Sequence, residues 1–358
     1  MPKNILLREP LVKPRFDAQV LANAAQKVLG RAVAHVAFSP LPGDASTRQY
    51  YRLSLAYPEG SPEPRTLILM QLEHPNASGE TDFIRILKFL QGIDLPVPEL
   101  FHFDSQRGLL WLQDCGDTTL EAHLQSADPA NLKQWYLKAV HLLAVMQTEA
   151  TRTIGSHCPA YHLKFDVDKL MWEMDFMLEH FIEGVRQNPL SETARQAIRQ
   201  PLIALCETLA GQTPCFAHRD YHSRNLMVHK DALVLLDFQD ARMGPSQYDL
   251  ASLLRDSYRL LPDALVWEFA DAFIEQKQAL DHQAIDRDEF LRVFDWISVQ
   301  RSLKAAGTFA YQSRVKNNDR YLPYIAPALE TVRQACLRRE DLKPVQAALS
   351  VAITELEH

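Results

Sequence analysis

The chain has 358 residues with a formal net charge of −7 and a hydrophobic fraction of 47%, which suits roughly two domains or lobes with sizeable cores. Lysine and arginine are interspersed with acidic residues, so we expect neither a nucleic-acid partner nor binding to an anionic membrane surface. Scattered cysteines without a C-x-x-C pair predict reduced thiols. Since no apolar run reaches membrane-spanning length and no signal peptide is recognisable, we expect a cytoplasmic protein.

The first part of the chain alternates short apolar runs with turns, which is typical of a strand-rich region. An amphipathic helix is predicted at residues 17–29, where apolar residues recur at helical spacing. Strands are predicted on both sides of a polar loop within 41–53, and again at 66–72 and 108–116. A second helix is predicted at 81–90.

The polar loop between the first two predicted strands carries Ser46 and Thr47, followed by Arg48. Backbone N–H groups and hydroxyls in such a loop can donate hydrogen bonds to phosphates, so these three residues are candidate nucleotide ligands. The same residue types also form ordinary hairpin turns, and the loop lacks a G-x-G-x-x-G pattern. Both interpretations stay open from the residues alone.

The predicted strand at 66–72 has Met70 where protein kinases have a lysine that reaches the phosphates. No other lysine stands nearby in that strand. Arg48 or Arg52, from the adjacent strand, could supply the missing positive charge. Either arginine could equally be a solvated residue on the face of the strand.

The strand at 108–116 is the expected boundary of the first lobe. Its exposed backbone at Gln113 and Cys115 could pair with the edge of adenine, so both residues are candidate nucleotide ligands. Beyond it, strands almost vanish and helical patterns dominate. The predicted organisation has three parts: a nucleotide-binding lobe at 1–113, a helical catalytic and acceptor-binding lobe at 114–340, and a helical tail at 341–358.

The segment 216–249 carries the strongest functional signal. His218 and Asp220 are followed by Asn225, and an apolar run then leads to Asp237. Each fragment alone is typical of a hydrogen-bonded cap or turn, but their order and spacing match the catalytic loop and metal-binding aspartate of protein kinases. Asp220 would orient a hydroxyl that attacks the γ-phosphoryl group of ATP. Asn225 and Asp237 would hold Mg²⁺ through oxygen ligands.

These motifs together resemble the aminoglycoside phosphotransferase and choline kinase branch of the protein-kinase-like fold. The segment G-P-S-Q-Y-D-L-A at 244–251 is similar to one that follows the metal aspartate in these small-molecule kinases. The resemblance implies an α+β, bilobal fold with a small antiparallel β lobe and a larger, mostly helical lobe. It also implies ATP and Mg²⁺ as cofactors, with Asp249 as a brace of the catalytic loop and His218 as its buried support.

Within that branch, four less specific motifs resemble those of bacterial kinases that phosphorylate the anomeric hydroxyl of N-acetylmuramate and N-acetylglucosamine in cell-wall recycling. They are G-D-A-S-T-R-Q-Y-Y-R at 43–52, H-R-D-Y-H-S-R-N-L-M at 218–227, L-D-F-Q-D-A at 236–241 and Q-R-S-L-K-A-A-G-T-F-A at 300–310. The similarity covers roughly residues 41–326. It implies a sugar acceptor.

Five residues are candidates for the acceptor pocket: Tyr221, His222, Arg224, Gln300 and Lys304. A solvated loop is the alternative for Tyr221, His222 and Arg224, and simple surface exposure is the alternative for Lys304. The basic character of the region 301–316 favours a sugar over a cationic acceptor. Two other functions stay open: a kinase for choline, homoserine or an aminoglycoside, and a non-catalytic nucleotide-binding regulator, which Met70 would suit.

Overall fold

The structure is a computed structural model, and it describes residues 16–41, 48–58, 65–75 and 79–357. Ser46 and Thr47, two of the predicted phosphate ligands, lie outside the described residues. Two compact units divide the described chain. Unit 1 contains the described residues up to Gln91 together with Pro96–Gly116, and unit 2 contains Gly92–Leu95 and the residues from Asp117 onward.

In its described residues, unit 1 is a five-stranded antiparallel sheet with two helices. Its elements are α1 (Ala18–Leu29), β1 (His35–Pro40), β2 (Gln49–Ala56), β3 (Thr66–Gln71), α2 (Asp82–Gln91), β4 (Leu100–Asp104) and β5 (Leu109–Gln113). The strand order is β1-β2-β3-β5-β4, and every neighbouring pair is antiparallel.

The core of unit 1 follows from the alternation of side chains along its strands. Tyr51, Leu53 and Leu55 of β2 are buried in one cluster with residues of α1, while the residues between them are more exposed. Asp17 caps the start of α1 by accepting the backbone N–H of Val20 at 2.8 Å. Burying each large apolar side chain stabilises the unit by roughly 1.5–3 kcal/mol.

Unit 2 is mostly helical, with two small two-stranded sheets among its described residues. Its elements are α3 (Leu120–His123), α4 (Pro129–Thr153), α5 (Val167–Met177), a π-helix (Leu178–Val185), α6 (Glu192–Ala210), β6 (Pro214–Ala217), β7 (Leu226–His229), β8 (Ala232–Leu235), β9 (Arg242–Pro245), α7 (Gln247–Leu254), α8 (Asp263–Asp281), α9 (Arg287–Arg314), α10 (Ile325–Arg338) and α11 (Lys343–Ser350). β6 pairs with β9, and β7 pairs with β8.

The long helix α9 packs against α5, α7 and α10, and it is buried along most of its length. A glycine makes its closest approach possible: a Cβ atom on Gly307 would lie 2.7 Å from the Cα atom of Met177. Because that contact is with backbone, a larger residue would push α9 away from α5. This packing sets the position of the side chains that α9 directs toward the catalytic loop.

Unit 2 is mostly helical, as the sequence pattern predicts, and α5 is followed directly by a π-helix at Leu178–Val185. The N–H of Arg186 bonds to the carbonyl of Phe181, five residues earlier, as a π-helix requires. The spacing of apolar residues over eight positions does not distinguish an α-helix from a π-helix, so the π-helix could not be predicted from the sequence. No described helix is both long and apolar enough to cross a membrane.

Candidate active site

A hairpin brings the two predicted metal ligands to one end of a small sheet. β7 and β8 pair antiparallel, and their two-residue turn has positive φ at Lys230 (49°) and Asp231 (59°). Such a turn matches the natural twist of paired strands. At the open end of the hairpin, the N–H of Leu236 donates to the carbonyl of Asn225 at 2.9 Å. Asn225 therefore lies opposite the residue that precedes Asp237.

The side chains of Asn225 and Asp237 offer oxygen ligands of the kind that Mg²⁺ prefers. Asn225 Nδ2 donates to the carbonyl of Asp220 at 2.9 Å, so the amide oxygen is the end left to bind a cation. Asp237 has a left-handed backbone (φ 63°, ψ 35°), and its Oδ1 accepts a hydrogen bond from Gln239 at 2.7 Å. Mg²⁺ is commonly held by one or two protein ligands while water and substrate phosphates complete its shell. The donor set fits that ion.

Asp249, in the first turn of α7, fixes the start of the catalytic loop. Its buried carboxylate accepts the backbone N–H of His218 at 2.6 Å and that of Arg219 at 2.9 Å. Burial raises the pKa of Asp249, and the two hydrogen-bonded neighbours offset that rise only in part. Arg219 has φ 83°, which few residues other than glycine adopt. One buried carboxylate therefore holds the loop in a strained backbone conformation.

His218 and Tyr221 belong to the packing beneath the loop. Both are fully buried, and their rings meet edge to face at 5.8 Å. Neither ring nitrogen of His218 has a hydrogen-bonding partner among the described residues. The Tyr221 hydroxyl donates to the carbonyl of Ala139 at 2.7 Å, and burial raises the pKa of this phenol well above its usual value. The Tyr221 hydroxyl is therefore engaged within the protein and does not face an acceptor.

Asp220 is paired with a cation from α9. The Nζ atom of Lys304 lies 3.0 Å from Asp220 Oδ1. Burial alone would raise the pKa of Asp220, but Lys304, then Arg219 and Arg301, hold that pKa well below its usual range. Asp220 is thus ionised at neutral pH, which is the state that a proton acceptor requires.

A buried carboxylate on α5 links several of these cations. Glu173 is 1% exposed, and it accepts a hydrogen bond from Gln300 Nε2 at 3.0 Å. Its Oε1 lies 3.5 Å from Lys169 and 3.7 Å from Arg219. Burial would raise the pKa of Glu173, but Lys304, Gln300 and these other cations lower it. Gln300, itself fully buried, therefore orients Glu173.

Neither Glu173 nor Lys169 was predicted as a site residue from the sequence. The available signal was their spacing of four residues with opposite charge on a predicted helix, a pattern that is usually only a surface ion pair. What distinguishes this pair is the near-complete burial of its carboxylate, which the sequence does not indicate.

The middle of the catalytic loop is held by Asp256. Its Oδ2 accepts the Ser223 hydroxyl at 2.5 Å and the Ser223 N–H at 3.2 Å. Next to it, burial lowers the pKa of His222, although Asp256 and Asp220 oppose that shift. His222 Nε2 lies 3.5 Å from Asn225 Nδ2. His222 is therefore a polar, uncharged neighbour of Asn225, which is a predicted metal ligand.

Arg224 is engaged by neighbouring side chains. Its guanidinium donates to both carboxylate oxygens of Glu121, at 2.8 and 3.0 Å, and to the Tyr324 hydroxyl at 2.9 Å. It also lies 3.6 Å from the ring centroid of Tyr258. These contacts account for a raised Arg224 pKa, which burial opposes. Arg224 is therefore a structural link within unit 2 rather than an available ligand for an acceptor.

In unit 1, Met70 is fully buried in β3. Arg52, a predicted source of positive charge, binds both carboxylate oxygens of Asp114, at 2.7 and 3.1 Å. Arg52 is therefore ion-paired with Asp114 and is not simply a solvated residue on the face of the strand. The guanidinium of Arg48 lies 5.4 Å from the ring centroid of Phe83. Arg48 thus has an aromatic neighbour within unit 1.

Gln113 and Cys115, the two candidate nucleotide ligands near the end of β5, are held in different ways within unit 1. The N–H of Gln113 donates to the carbonyl of Glu99 at 2.8 Å, and its side-chain oxygen accepts the N–H of Glu99 at 3.2 Å. Cys115 is buried, which, with the nearby Asp114, raises the pKa of its thiol to about 11. The thiol is therefore protonated at neutral pH, and the nucleotide-binding role of both residues stays a prediction.

The chain is similar in sequence to phosphotransferases. A family model described as the phosphotransferase enzyme family matches residues 37–291. The N-acetylmuramate/N-acetylglucosamine kinase of Neisseria meningitidis serogroup B is 30% identical over 308 residues, covering 86% of this chain and 87% of that protein. The protein of the same name from Pseudomonas aeruginosa is 27% identical, covering 85% of each chain.

Solved structures with the same fold include two kinds of small-molecule kinase. Choline kinase from Cryptosporidium parvum has a TM-score of 0.61 at 10% identity, covering 95% of this chain and 100% of its own. An ADP-bound aminoglycoside phosphotransferase has a TM-score of 0.53 at 13% identity, covering 88% and 98%. At these identities the likeness concerns the fold alone. It confirms the predicted α+β, protein-kinase-like fold.

Proposed function

The chain belongs to the phosphotransferase enzyme family, and we propose that it transfers the γ-phosphoryl group of ATP to the anomeric hydroxyl of N-acetylmuramate or N-acetylglucosamine. The observation that carries this proposal is the grouping of Asp220, Asn225 and Asp237 on one loop and hairpin. The choice of acceptor is supported by the relatives, which are N-acetylmuramate/N-acetylglucosamine kinases. We propose the cytoplasm as its location, since ATP is available there.

Asp220 is the proposed proton acceptor. Lys304 contacts Oδ1, so we assign the acceptor hydroxyl to Oδ2. The γ-phosphoryl group passes through a loose transition state, in which orienting the attacking oxygen matters more than removing its proton early. Asp220 therefore chiefly aligns the hydroxyl and receives its proton as the new bond forms. Asp249 keeps the backbone of the loop in place while this happens.

Asn225 and Asp237 are the proposed Mg²⁺ ligands. When bound, Mg²⁺ would neutralise phosphate charge and hold the transferring group in line. The backbone hydrogen bond from the Leu236 N–H to the Asn225 carbonyl fixes the spacing between Asn225 and Asp237. From unit 1 we propose that Ser46, Thr47, Arg48, Gln113 and Cys115 contribute to nucleotide binding.

The charges around Asp220 support a neutral or anionic acceptor. Lys304, Arg219 and Arg301 surround the carboxylate that would receive the hydroxyl. A cationic acceptor such as choline or an aminoglycoside would face these like charges, which is unfavourable. His222, neutral and beside Asn225, and Lys304 are the acceptor-side residues that we retain.

The proposal is tested by following ADP formation with Mg²⁺ and ATP against N-acetylmuramate, N-acetylglucosamine, glucose, choline, homoserine and kanamycin. Asp220→Ala is the inactive control. Asp288→Ala is the matched control, because Asp288 is a 95% exposed aspartate at the start of α9. We expect turnover on the two N-acetylated sugars, at least 10²-fold lower in Asp220→Ala and unchanged in Asp288→Ala.

Turnover on choline, homoserine or kanamycin instead would keep the kinase and reject the sugar acceptor. Binding of ATP with no turnover on any acceptor would reject catalysis and favour a regulatory role.

A further inference from the structure

One face of α5 presents a lysine and an exposed aromatic ring beside the catalytic loop. Lys169 Nζ lies 4.0 Å from the ring centroid of Trp172, which is one of the few large apolar side chains that are strongly exposed in the described chain. The same Nζ lies 3.5 Å from Glu173 Oε1. The ammonium group has three donors, so it can serve Glu173 and still bind another acceptor.

Glu173 connects this face to the reactive carboxylate. Gln300 of α9 donates to Glu173, and Lys304, one helical turn further along α9, contacts Asp220. Arg219, the residue before Asp220, lies 3.7 Å from Glu173 Oε1, and Lys169 lies 3.5 Å from the same atom. Lys169 is thus joined to the loop that carries Asp220 through one buried carboxylate.

Positive charge exceeds negative charge at this end of the site. Three cations, Lys169, Arg219 and Arg242, lie around two carboxylates: Glu173 is 3.5 Å from Lys169 and 3.7 Å from Arg219, and Asp240 is 3.3 Å from Arg219. Arg242 lies close enough to repel both Lys169 and Arg219. Burial lowers the pKa of Lys169, Glu173 opposes that change, and Arg219 and Arg242 lower the pKa further. An incoming anion would relieve this repulsion between like charges.

We propose that Lys169 binds the carboxylate of an acidic amino sugar, while the exposed ring of Trp172 packs against the sugar itself. N-acetylmuramate carries a carboxylate on its ether-linked side group, whereas N-acetylglucosamine has a neutral hydroxyl at the same carbon. The subsite therefore makes the acidic sugar the better acceptor of the two. This inference rests on the proposed sugar-kinase function and adds the residue that discriminates between its two acceptors.

The test compares both sugars in wild type, Lys169→Met and Lys169→Arg. Because an ionic hydrogen bond to the substrate is worth about one factor of ten or more in affinity, Lys169→Met should raise KM for N-acetylmuramate about tenfold or more. KM for N-acetylglucosamine and for ATP should change less than about twofold by the same reasoning. Lys169→Arg retains the charge and should recover most of the preference. Trp172→Ala should raise KM for both sugars.

The chain offers a matched control in Lys138, which lies 4.1 Å from the ring centroid of Trp135 and donates to a backbone carbonyl. Lys138→Met removes a similar lysine–tryptophan contact and should leave both sugars unaffected. Equal changes for both sugars in Lys169→Met, or no change, would overturn the subsite while leaving the kinase intact. Absence of turnover on either sugar in wild type would instead overturn the proposed function, and the subsite with it.

Discussion

Lys304 Nζ lies 3.0 Å from Asp220 Oδ1, so the proposed proton acceptor is ion-paired with a lysine 84 residues away in the sequence. The lysine is delivered by α9, whose position depends on its close packing against α5. The protonation state of Asp220 therefore depends on the packing of α9 as well as on the conformation of the loop.

The first prediction concerns the acidic limb of the pH–rate profile. Lys304, Arg219 and Arg301 hold the pKa of Asp220 well below its usual range, so wild type should keep its active, ionised carboxylate down to low pH. Lys304→Met removes the largest charge that opposes the effect of burial, so the pKa of Asp220 should rise, although Arg219 and Arg301 still lower it. The acidic limb of kcat/KM should therefore move to higher pH, and Lys304→Arg should largely restore it. Superimposable acidic limbs in wild type and Lys304→Met would contradict the role of the pair.

The second prediction concerns the brace at Asp249. Asp249→Asn replaces an oxygen that accepts a backbone N–H of the loop with an NH₂ group that cannot accept it. Because hydrogen bonds to buried charged groups contribute about 1.5–3 kcal/mol, the free energy of unfolding should fall by about that amount. Urea denaturation measures it, and kcat should fall as well. Unchanged stability and unchanged kcat would show that the two hydrogen bonds do not hold the loop.

The third prediction uses two buried serines. Ser223→Ala removes the hydroxyl that donates to Asp256, whereas the Ser252 hydroxyl has no hydrogen-bonding partner among the described residues. Ser223→Ala should lower the free energy of unfolding by about 1.5–3 kcal/mol, and Ser252→Ala by much less. Thermal and urea unfolding of both variants measure the difference. Similar losses in the two would mean that the bond to Asp256 adds nothing to stability.

The fourth prediction concerns the contact between α9 and α5. Gly307→Ala would place a Cβ atom 2.7 Å from the Met177 backbone, so α9 must move. We expect a loss of about 1–3 kcal/mol in unfolding free energy and a reduced kcat, because Lys304 lies one turn away. Gly155→Ala is the control, since its added Cβ would meet only the His157 side chain at 3.2 Å. A fully active, stable Gly307→Ala would contradict this account of α9.

The contiguous part of the site could be predicted from sequence. Asp220, Asn225 and Asp237 lie within one short segment, and the apolar run before Asp237 indicated the strand that returns it to the loop. The partner strand β7 was not predicted, because its turn at Lys230 and Asp231 lacks the glycine that usually marks such turns.

The long-range part of the site could not be predicted. Lys304 was predicted to lie in the acceptor pocket, but its pairing with Asp220 depends on helix packing that residue spacing does not encode. Arg52 was considered for phosphate binding, and its partner Asp114 lies 62 residues away in the sequence. Tyr221 and Arg224 have polar groups and lie close to Asp220 in the sequence, but the buried Tyr221 donates to a backbone carbonyl and Arg224 binds Glu121.

The proposed anomeric phosphorylation is tested most directly by ³¹P NMR of the product made from N-acetylmuramate with ATP and Mg²⁺. A sugar 1-phosphate that is lost on mild acid treatment, formed by wild type and absent with Asp220→Ala, is the predicted result. A stable phosphate ester on another hydroxyl of the sugar, or equal product from Asp220→Ala, would contradict it.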